Sequence, residues 1–362
     1  MEIFLIITIL SLFLFSFISL FIFRKFAFLI NLVDQPNARK HHSGSIPLVG
    51  GVAIFVVVFS YLMVYPDTII SSSLYLCCAS ILLIVGVIDD LLDVSFRFRL
   101  ALQTLISALM MYFGNLIFQD AGHIIGPFIL DLSYFSYVIT IIAVVGAINA
   151  FNMVDGIDGL LGALAIITFS SLGGLFYING QTELTAFCAV IVVATIPYIL
   201  MNLGIPLGQR FKVFMGDSGS TVIGFTVVWL LLEGSQVPES RAFNPVIALW
   251  LAAIPIMDAV STIIRRIKKG LSPFKPDREH LHHILQRLGL GPNMTLVVIC
   301  FIASIFAMIG IAAQIYNVPE YIMFYAFIVC LIIYNQVMMN IWKFTVFARR
   351  ILKVFKKNSS DE

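Results

Sequence analysis

Carboxylates and amides cluster in three short stretches of an otherwise apolar chain. The stretch "VIDDLLD" carries Asp89, Asp90 and Asp93, "NAFNMVDGIDG" carries two amides and two acids, and "FMGDSGS" carries Asp217. Adjacent carboxylates repel each other unless a cation neutralises them, so such clusters indicate a metal ion or a general base. Because oxygen ligands without cysteine suit hard cations, the expected metal is Mg²⁺ or Mn²⁺.

The second stretch repeats its polar side chains at every third residue. Asn149, Asn152, Asp155 and Asp158 therefore form a slowly drifting polar stripe if one helix runs through them. The amides could ligate a metal through oxygen or bond a sugar or a phosphate. Glycines with the same spacing leave room for another helix or a ligand: Gly156, Gly159 and Gly162.

Each acidic stretch also has a purely structural interpretation. Asp89 and Asp90 could end a solvated helix, with Arg97 and Arg99 as their partners. Polar groups of the second stretch could bond neighbouring helices together. Asp217, flanked by glycines, could cap a helix N-terminus, although the same geometry also suits a metal–phosphate site.

Histidines and basic residues form two further candidate binding segments. His280, His282 and His283 fall within four positions of "SPFKPDREHLHHIL". A zinc site would need a fourth ligand that has no natural spacing here, so a diphosphate clamp with neighbouring Lys and Arg is favoured. A second basic patch, which could equally serve as a membrane anchor, comprises Arg39, Lys40, His41 and His42.

The elements that must position these residues are membrane-spanning helices. Apolar residues make up 60% of the 362 positions, charged residues 12%, and the mean hydropathy is +1.00. A bilayer's hydrocarbon core is crossed by roughly 20 apolar residues in a helix. We predict an all-α, polytopic transmembrane bundle with about eleven spans, near 1–23, 47–65, 70–88, 98–116, 133–151, 158–178, 184–204, 217–233, 245–264, 294–316 and 320–345.

Basic residues orient this bundle. With eleven spans, 21 of the 22 Lys and Arg fall on one side, which the positive-inside rule identifies as the cytoplasm. The N-terminus is then outside and the C-terminus inside. We predict one integral membrane domain over 1–362, with a basic cytoplasmic tail at 344–362. Its chemistry-bearing loops all lie inside, near 24–47, 89–98, 149–158, 205–218 and 265–293.

Five stretches in chain order resemble the polyprenyl-phosphate N-acetylhexosamine-1-phosphate transferase superfamily. The resemblance covers essentially the whole chain, and its H-x-H-H ending most resembles the bacterial members that use undecaprenyl phosphate. It resembles the translocase of peptidoglycan synthesis less. The stretches are "DQPNARKHHSGSIPLVGG", "DDLLD", "NAFNMVDGIDGL", "FMGDSGS" and "SPFKPDREHLHH".

The resemblance implies a reaction and its setting. UDP-N-acetylglucosamine and undecaprenyl phosphate would give undecaprenyl-diphospho-N-acetylglucosamine and UMP, with Mg²⁺ or Mn²⁺ as cofactor. The enzyme would sit in the bacterial inner membrane with its active site facing the cytoplasm and would begin O-antigen or common surface polysaccharide synthesis. Its partners would be both substrates and the bilayer but no nucleic acid, and a homo-oligomer is left open.

The same resemblance implies roles for individual side chains. Asp217 and Asn152 would hold the metal. The catalytic acids would be Asp89, Asp90, Asp155 and Asp158. Substrate binding would fall to His280, His282, His283, Arg265, Arg266, Asn149 and Lys40.

Other functions remain to be weighed against this one. The same reaction with another UDP-N-acetylhexosamine is the nearest alternative. An ion-coupled transporter would place its acids near the middle of spans, whereas here they cluster at inside ends. A CDP-alcohol phosphotransferase would carry an arginine after its acidic array, which "DGIDGLLG" lacks. A flippase or scaffold would use the polar stripes only to join helices.

Overall fold

The computed structural model describes residues 2–35, 44–272 and 280–340, and these residues are almost entirely helical. Each predicted span holds a helix, with the span near 245–264 divided in two. A short helix lies in the last predicted inside loop. The helices are α1 (Glu2–Leu29), α2 (Gly50–Val64), α3 (Ser72–Leu92), α4 (Phe96–Gly114), α5 (Phe135–Val154), α6 (Leu160–Ile178), α7 (Thr182–Leu203), α8 (Gly216–Gln236), α9 (Ile247–Leu251), α10 (Ala253–Lys268), α11 (Leu281–Arg287), α12 (Pro292–Ile315) and α13 (Glu320–Met339).

Eight of the described helices are long and apolar enough to cross a bilayer: α1, α3, α5, α6, α7, α8, α12 and α13. The all-helical class and the multi-span character are therefore confirmed. Helix α2 is apolar but has only 15 residues. Helices α4, α9 and α10 do not meet the same length and hydropathy requirements. The eleven-span count is thus not established by helix length and composition alone.

Helix α8 forms the centre of the bundle. It is buried along nearly its whole length and packs against α2, α3, α5 and α6. By contrast, α1 and α13 bury little of their surface and expose large apolar side chains such as Leu29, Ile333 and Phe15. Apolar surface of this extent is unfavourable in water but suits contact with lipid. The protein therefore has a protein-buried centre and a lipid-compatible periphery.

A glycine allows α3 to approach the start of α8 closely. A Cβ added at Gly86 would collide with the backbone of Ser218. No other residue could occupy this contact without separating the two helices. Since residues four apart lie on one helix face, the same close approach brings Asp90 to the first turn of α8.

Loops complete this end of the bundle. Two-residue strands β1 (Val33–Asp34) and β2 (Ile46–Pro47) pair in antiparallel register. The chain after β2 then pairs with the loop that precedes α8, where Phe214 N–H donates to the Pro47 carbonyl at 2.8 Å. This small ladder joins the first predicted inside loop to the "FMGD" segment. In the described part of the chain, the other β-pairing is an antiparallel bridge between Asp120 and Asp131 in the connection from α4 to α5.

Candidate active site

Asp90 holds the N-terminus of α8 in place from a different helix. Its carboxylate accepts the backbone N–H of Asp217 at 2.8 Å and that of Ser218 at 3.3 Å. The first N–H groups of a helix have no partner inside the helix, so an acceptor from α3 satisfies them. The capping alternative for Asp217 is wrong, because Asp217 lies in the first turn and makes no cap hydrogen bond. Its side chain is thereby left for another task.

Asp217 instead contacts the amide of Asn152 on α5. Asn152 Nδ2 lies 2.8 Å from Asp217 Oδ1 and 2.8 Å from Ser220 Oγ. The side chain of Asp217 is 43% exposed, so its carboxylate remains accessible at the helix end. Three helices therefore meet here, with α3 fixing the start of α8 and α5 contacting its first acidic side chain.

Arg99 joins Asp89 to this group. Its guanidinium lies 2.6 Å from Asp89 Oδ2 and 3.5 Å from Asp217 Oδ2. Asp89 is buried and also accepts the N–H of Val94 at 2.8 Å. The arginine partner expected in the structural interpretation of "VIDDLLD" is therefore present for Asp89. Asp93 lies beyond the end of α3 in a left-handed conformation, so the helix itself carries only two of the three acids of this stretch.

The polar stripe expected along one helix is interrupted at Val154. Helix α5 ends there, Gly159 has a positive φ of 76°, and α6 starts at Leu160. Asp155 and Asp158 consequently lie on a loop of residues 155–159, hereafter the acidic loop. This placement still keeps both acids at the helix ends that carry the other polar groups.

The acidic loop contributes negative charge to the site. Asp158 forms an ion pair with Lys212 at 2.5 Å, and this lysine is buried. Asp155 lies close enough to Asp217, Asp90 and Asp158 for their charges to act on it. Among the residues that the structure describes, carboxylates thus outnumber cations here: Asp89, Asp90, Asp155, Asp158 and Asp217 face Arg99 and Lys212.

The donor set fits a magnesium-type cation. Within residues 2–35, 44–272 and 280–340, no three His, Cys, Asp or Glu side chains come together as a complete metal site. Mg²⁺ does not require one, because it commonly takes one or two protein oxygens and completes its shell with water and substrate phosphates. An accessible Asp217 carboxylate beside the Asn152 amide, with excess negative charge around it, matches that pattern.

Asn149 lies apart from this group. Its Nδ2 bonds Gln103 Oε1 and the Val145 carbonyl, both at 2.7 Å. One helical turn therefore separates an amide that joins α5 to α4 from an amide that contacts Asp217. The structure does not bring Asn149 to the Asp217 carboxylate, and its predicted part in substrate binding stays a prediction.

The histidine segment forms a second, mostly buried cluster. His280 Nδ1 lies 2.7 Å from Asp258 Oδ2, and the His282 and His283 rings are 4.2 Å apart. Burial, followed by the neighbouring His283 and His280, lowers the pKa of His282 to about 3. His282 is therefore neutral at physiological pH, and with 2% exposure it is not an open anion-binding side chain.

Several predicted binding residues cannot be placed in the acidic group, which consists of Asp89, Asp90, Asp155, Asp158 and Asp217. Arg265 and Arg266 are buried near the end of α10, on the helix that also carries Asp258. His283 is half-buried on α11. Lys40 lies outside the described residues, as do 273–279 and the tail from 341. The substrate-binding roles of all these residues stay predictions.

Sequence reasoning did not identify three polar contacts of this region. Lys212 pairs with Asp158, Ser220 bonds Asn152, and the buried Asn202 accepts the Gly159 N–H at 2.5 Å. Lys212 could have been noticed as a cation only five positions before Asp217. Asn202 could have been noticed as an amide at the end of an apolar run, where polar side chains require partners.

Comparison with known proteins identifies the family of this chain. Residues 72–235, which include α3, α5 and α8, match glycosyl transferase family 4. The chain is 43% identical over 349 residues to the undecaprenyl-phosphate alpha-N-acetylglucosaminyl 1-phosphate transferase of Escherichia coli O157:H7, covering 96% of this chain and 95% of that protein.

Relatives of the same name in other bacteria agree. The Salmonella typhi protein is 44% identical over 348 residues, covering 96% of this chain and 94% of its own. The Haemophilus influenzae protein is 41% identical over 345 residues, covering 95% and 97%. The family predicted from five motifs is thus confirmed over nearly the full length. The chain belongs to the undecaprenyl-phosphate alpha-N-acetylglucosaminyl 1-phosphate transferases, within glycosyl transferase family 4.

Proposed function

We propose that this protein transfers N-acetylglucosamine 1-phosphate from UDP-N-acetylglucosamine to undecaprenyl phosphate. The products are undecaprenyl-diphospho-N-acetylglucosamine and UMP. The names of full-length relatives support the acceptor and the transferred group. The observation that carries the proposal is the convergence of Asp90, Asn152 and Asp217 from three helices at one end of the bundle.

The position of this site suits a reaction between a soluble and a lipid-bound substrate. The acids lie at the ends of apolar helices, and polar groups at membrane depth are tolerated where they line a cavity or an interface. A nucleotide sugar can approach from water, while the long acceptor tail stays in the bilayer. Their phosphates would therefore meet at the boundary that Asp90 and Asp217 occupy.

The chemistry requires two anions to come together. The lipid phosphate attacks the sugar-bearing β-phosphorus, and UMP departs, so positioning and charge neutralisation carry most of the catalysis. We propose that Asp217 and Asn152 hold Mg²⁺ or Mn²⁺. When bound there, the cation would offset charge on the diphosphate and on departing UMP.

The remaining side chains prepare the site for this reaction. Asp90 fixes the first turn of α8, and with it Asp217. Asp89 is held by Arg99, which places a second carboxylate and a cation beside Asp217. Either Asp89 or Asp90 orients or activates the lipid phosphate. Asp155 and Asp158 complete the negative surroundings from the acidic loop, and Lys212 keeps Asp158 in position.

A further group of residues is proposed to bind the donor. His283 and Lys40 supply donors that a sugar diphosphate requires, while Arg265 and Arg266, which are buried on α10, contribute their positive charge to the same site. His280 and His282 belong to the same segment but are buried. Their contribution to donor binding therefore has to be indirect.

We propose eleven spans, with the N-terminus outside and the C-terminus inside. In this arrangement, α2, α4 and the α9–α10 pair are the three spans added to the eight long apolar helices. The arrangement places 21 of 22 Lys and Arg on the cytoplasmic side. The whole chain then forms a single inner-membrane domain whose active site faces the cytoplasm. The basic tail at 344–362 lies outside the described residues.

The biological step follows from the product. A diphosphate-linked first sugar on undecaprenol is the starting unit for O-antigen or common surface polysaccharide synthesis. The identity of the amino sugar needs its own test, because related transferases could use other UDP-N-acetylhexosamines.

Reconstituted protein distinguishes these possibilities. Proteoliposomes with undecaprenyl phosphate and Mg²⁺ receive labelled UDP-N-acetylglucosamine, UDP-N-acetylgalactosamine or UDP-glucose in parallel. We expect lipid-linked product and equimolar UMP with UDP-N-acetylglucosamine. Faster turnover with a different nucleotide sugar would change the assigned donor. Absence of product with all three would reject the transferase assignment.

A further inference from the structure

A buried carboxylate away from the acidic group organises the histidine segment. Asp258 on α10 is 1% exposed and accepts three hydrogen bonds. The donors are His280 Nδ1 at 2.7 Å, the Leu281 N–H at 3.1 Å and the Tyr334 hydroxyl at 2.7 Å. Burying an acid is costly without such partners, so this arrangement requires all three elements to stay together.

Two of these bonds fix the beginning of α11. The Leu281 N–H is an unsatisfied donor of the first helical turn, and Asp258 accepts it from α10. Helix α11 has seven residues, which is too short to be stable alone in water. Its position therefore depends on tertiary contacts, which include the hydrogen bond from the Leu281 N–H to the Asp258 carboxylate.

Helix α11 carries His282 directly to the acidic loop. His282 is buried, and its Nε2 has no hydrogen-bond partner in the described part of the chain. A Cβ added at Gly156 would collide with this imidazole. Gly156 lies between Asp155 and Asp158, so the ring contacts the backbone that carries both acids. Any shift of α11 would be transmitted to that loop.

We propose that Asp258 and Tyr334 are positioning residues for the transfer reaction, acting through α11 and His282 on the acidic loop. This inference rests on the proposed function and assigns His280 and His282 a supporting role within it. A continuous set of contacts runs from Tyr334 to Asp258, then through the first residues of α11 to Gly156. Neither Asp258 nor Tyr334 reaches the Asp217 group itself.

A supporting role has a distinct kinetic consequence. Asp258, His280 and His282 are nearly inaccessible, so substituting them removes no direct contact with the donor. Misplacing the acidic loop should lower kcat, while KM for UDP-N-acetylglucosamine stays within about twofold. Loss of a direct diphosphate contact would instead raise KM.

Matched variants separate this role from general helix packing. Tyr334→Phe removes the hydroxyl that bonds Asp258, and Asp258→Asn alters the carboxylate with almost no change in volume. Ser261→Ala is the control, because Ser261 Oγ and Asn335 Oδ1 form another hydrogen bond between α10 and α13, at 3.1 Å. We expect about a tenfold or greater fall in kcat for Asp258→Asn, a smaller fall for Tyr334→Phe, and near wild-type kcat for Ser261→Ala.

Coupling to His282 gives the deciding measurement. Residues that act through one contact show non-additive effects. In a His282→Ala background, Asp258→Asn should lower kcat by less than about threefold. In the same His282→Ala background, Gly156→Ala should also lower kcat by less than about threefold, because the smaller side chain at 282 leaves room for the added methyl group. Wild-type protein is assayed in the same membranes, and folding is checked by thermal unfolding in detergent.

The outcomes are distinguishable from failure of the proposed function. Wild-type protein without product would reject the transferase assignment itself. With active wild-type protein, multiplicative effects of Asp258→Asn and His282→Ala would overturn the positioning inference. A raised KM with unchanged kcat would also overturn it, since that result would assign the segment to direct donor binding.

Discussion

Asn152 on α5 donates from Nδ2 to Asp217 Oδ1 on α8 at 2.8 Å, across 65 positions of sequence. The bond places an amide against a carboxylate at the accessible end of the most buried helix. Because Asp90 fixes the backbone of Asp217 from a third helix, the position of this pair is set by the packing of the bundle. The proposed metal would depend on the same arrangement.

Replacing Asn152 should weaken the response to the metal. Asn152→Ala removes one proposed oxygen ligand, so we expect the Mg²⁺ concentration for half-maximal turnover to rise by about tenfold or more. The measurement is a Mg²⁺ titration after removal of metal with EDTA. Asn179→Ala, on a loop at the far end of α6, is the control and should leave the titration unchanged.

Two results would contradict the metal assignment. Turnover that persists in excess EDTA would show that no exchangeable cation is required. An Asn152→Ala variant with reduced maximal rate but an unchanged Mg²⁺ midpoint would remove Asn152 from the ligand set.

Enlarging Gly86 should separate α3 from α8. An added methyl group meets the backbone of Ser218, which cannot rotate away as a side chain could. We expect Gly86→Ala to destabilise the protein by about 1–3 kcal/mol and to reduce turnover, because Asp90 moves with α3. Thermal unfolding in detergent and the transfer assay measure the two effects.

Gly174 provides the matched control for this prediction. It lies inside α6, and a Cβ there meets no atom within 4 Å. Gly174→Ala should retain activity and unfold at the same or a slightly higher temperature, since alanine favours helix. Equal behaviour of the two variants would refute the close-approach argument.

The stability of the histidine segment should decrease in acid. Burial and the neighbouring His283 and His280 lower the pKa of His282 from 6.5 to about 3, opposed by the nearby Asp258 carboxylate. Below pH 6.5 the imidazole of His282 therefore takes up a proton in the unfolded chain. In the folded protein it stays neutral until the pH falls to about 3. Stability from this group is complete above pH 6.5 and is lost as the pH falls, by about 1.4 kcal/mol for each pH unit.

Comparison of two proteins isolates this contribution. Between pH 7.5 and 5.5, the unfolding temperature of His282→Gln should fall less than that of the wild type. Identical pH dependence in both proteins would contradict the assignment of a neutral buried imidazole. The measurement needs no substrate, so it is independent of turnover.

The sequence was sufficient to predict the helical class and to group Asn152 with Asp217, but not to identify Lys212, Ser220 or Asn202. The pairing of Asn152 with Asp217 as metal ligands comes from the resemblance of their motifs to the transferase superfamily.

The predicted end of the fifth span, near 151, lies three residues before the observed end at Val154. The continuous stripe from Asn149 to Asp158 was wrong, because a three-residue polar spacing suggested that one helix ran through all four residues. Helix α5 ends at Val154 instead, and Gly159, in a left-handed conformation, immediately precedes α6.

Contacts between distant positions account for the other differences. Asp90 accepts N–H groups 127 and 128 positions away, so no local pattern could indicate that it caps α8. Asp258 was overlooked as a single acid inside the apolar run "PIMDAVS". An isolated acid in such a run was itself a signal, since a buried carboxylate requires partners, but the sequence does not identify Tyr334 or His280 as those partners.

The central claim is that Asp217 lies in the centre where the sugar phosphate is transferred. The most direct measurement compares Asp217→Asn with Asp67→Asn, an exposed acid in the loop after α2, in undecaprenyl-phosphate proteoliposomes supplied with labelled UDP-N-acetylglucosamine and Mg²⁺. We predict that Asp217→Asn lowers UMP release and lipid-linked product by about 10²–10³-fold or more, while Asp67→Asn retains wild-type turnover. Wild-type turnover by a correctly inserted Asp217→Asn protein would contradict the account.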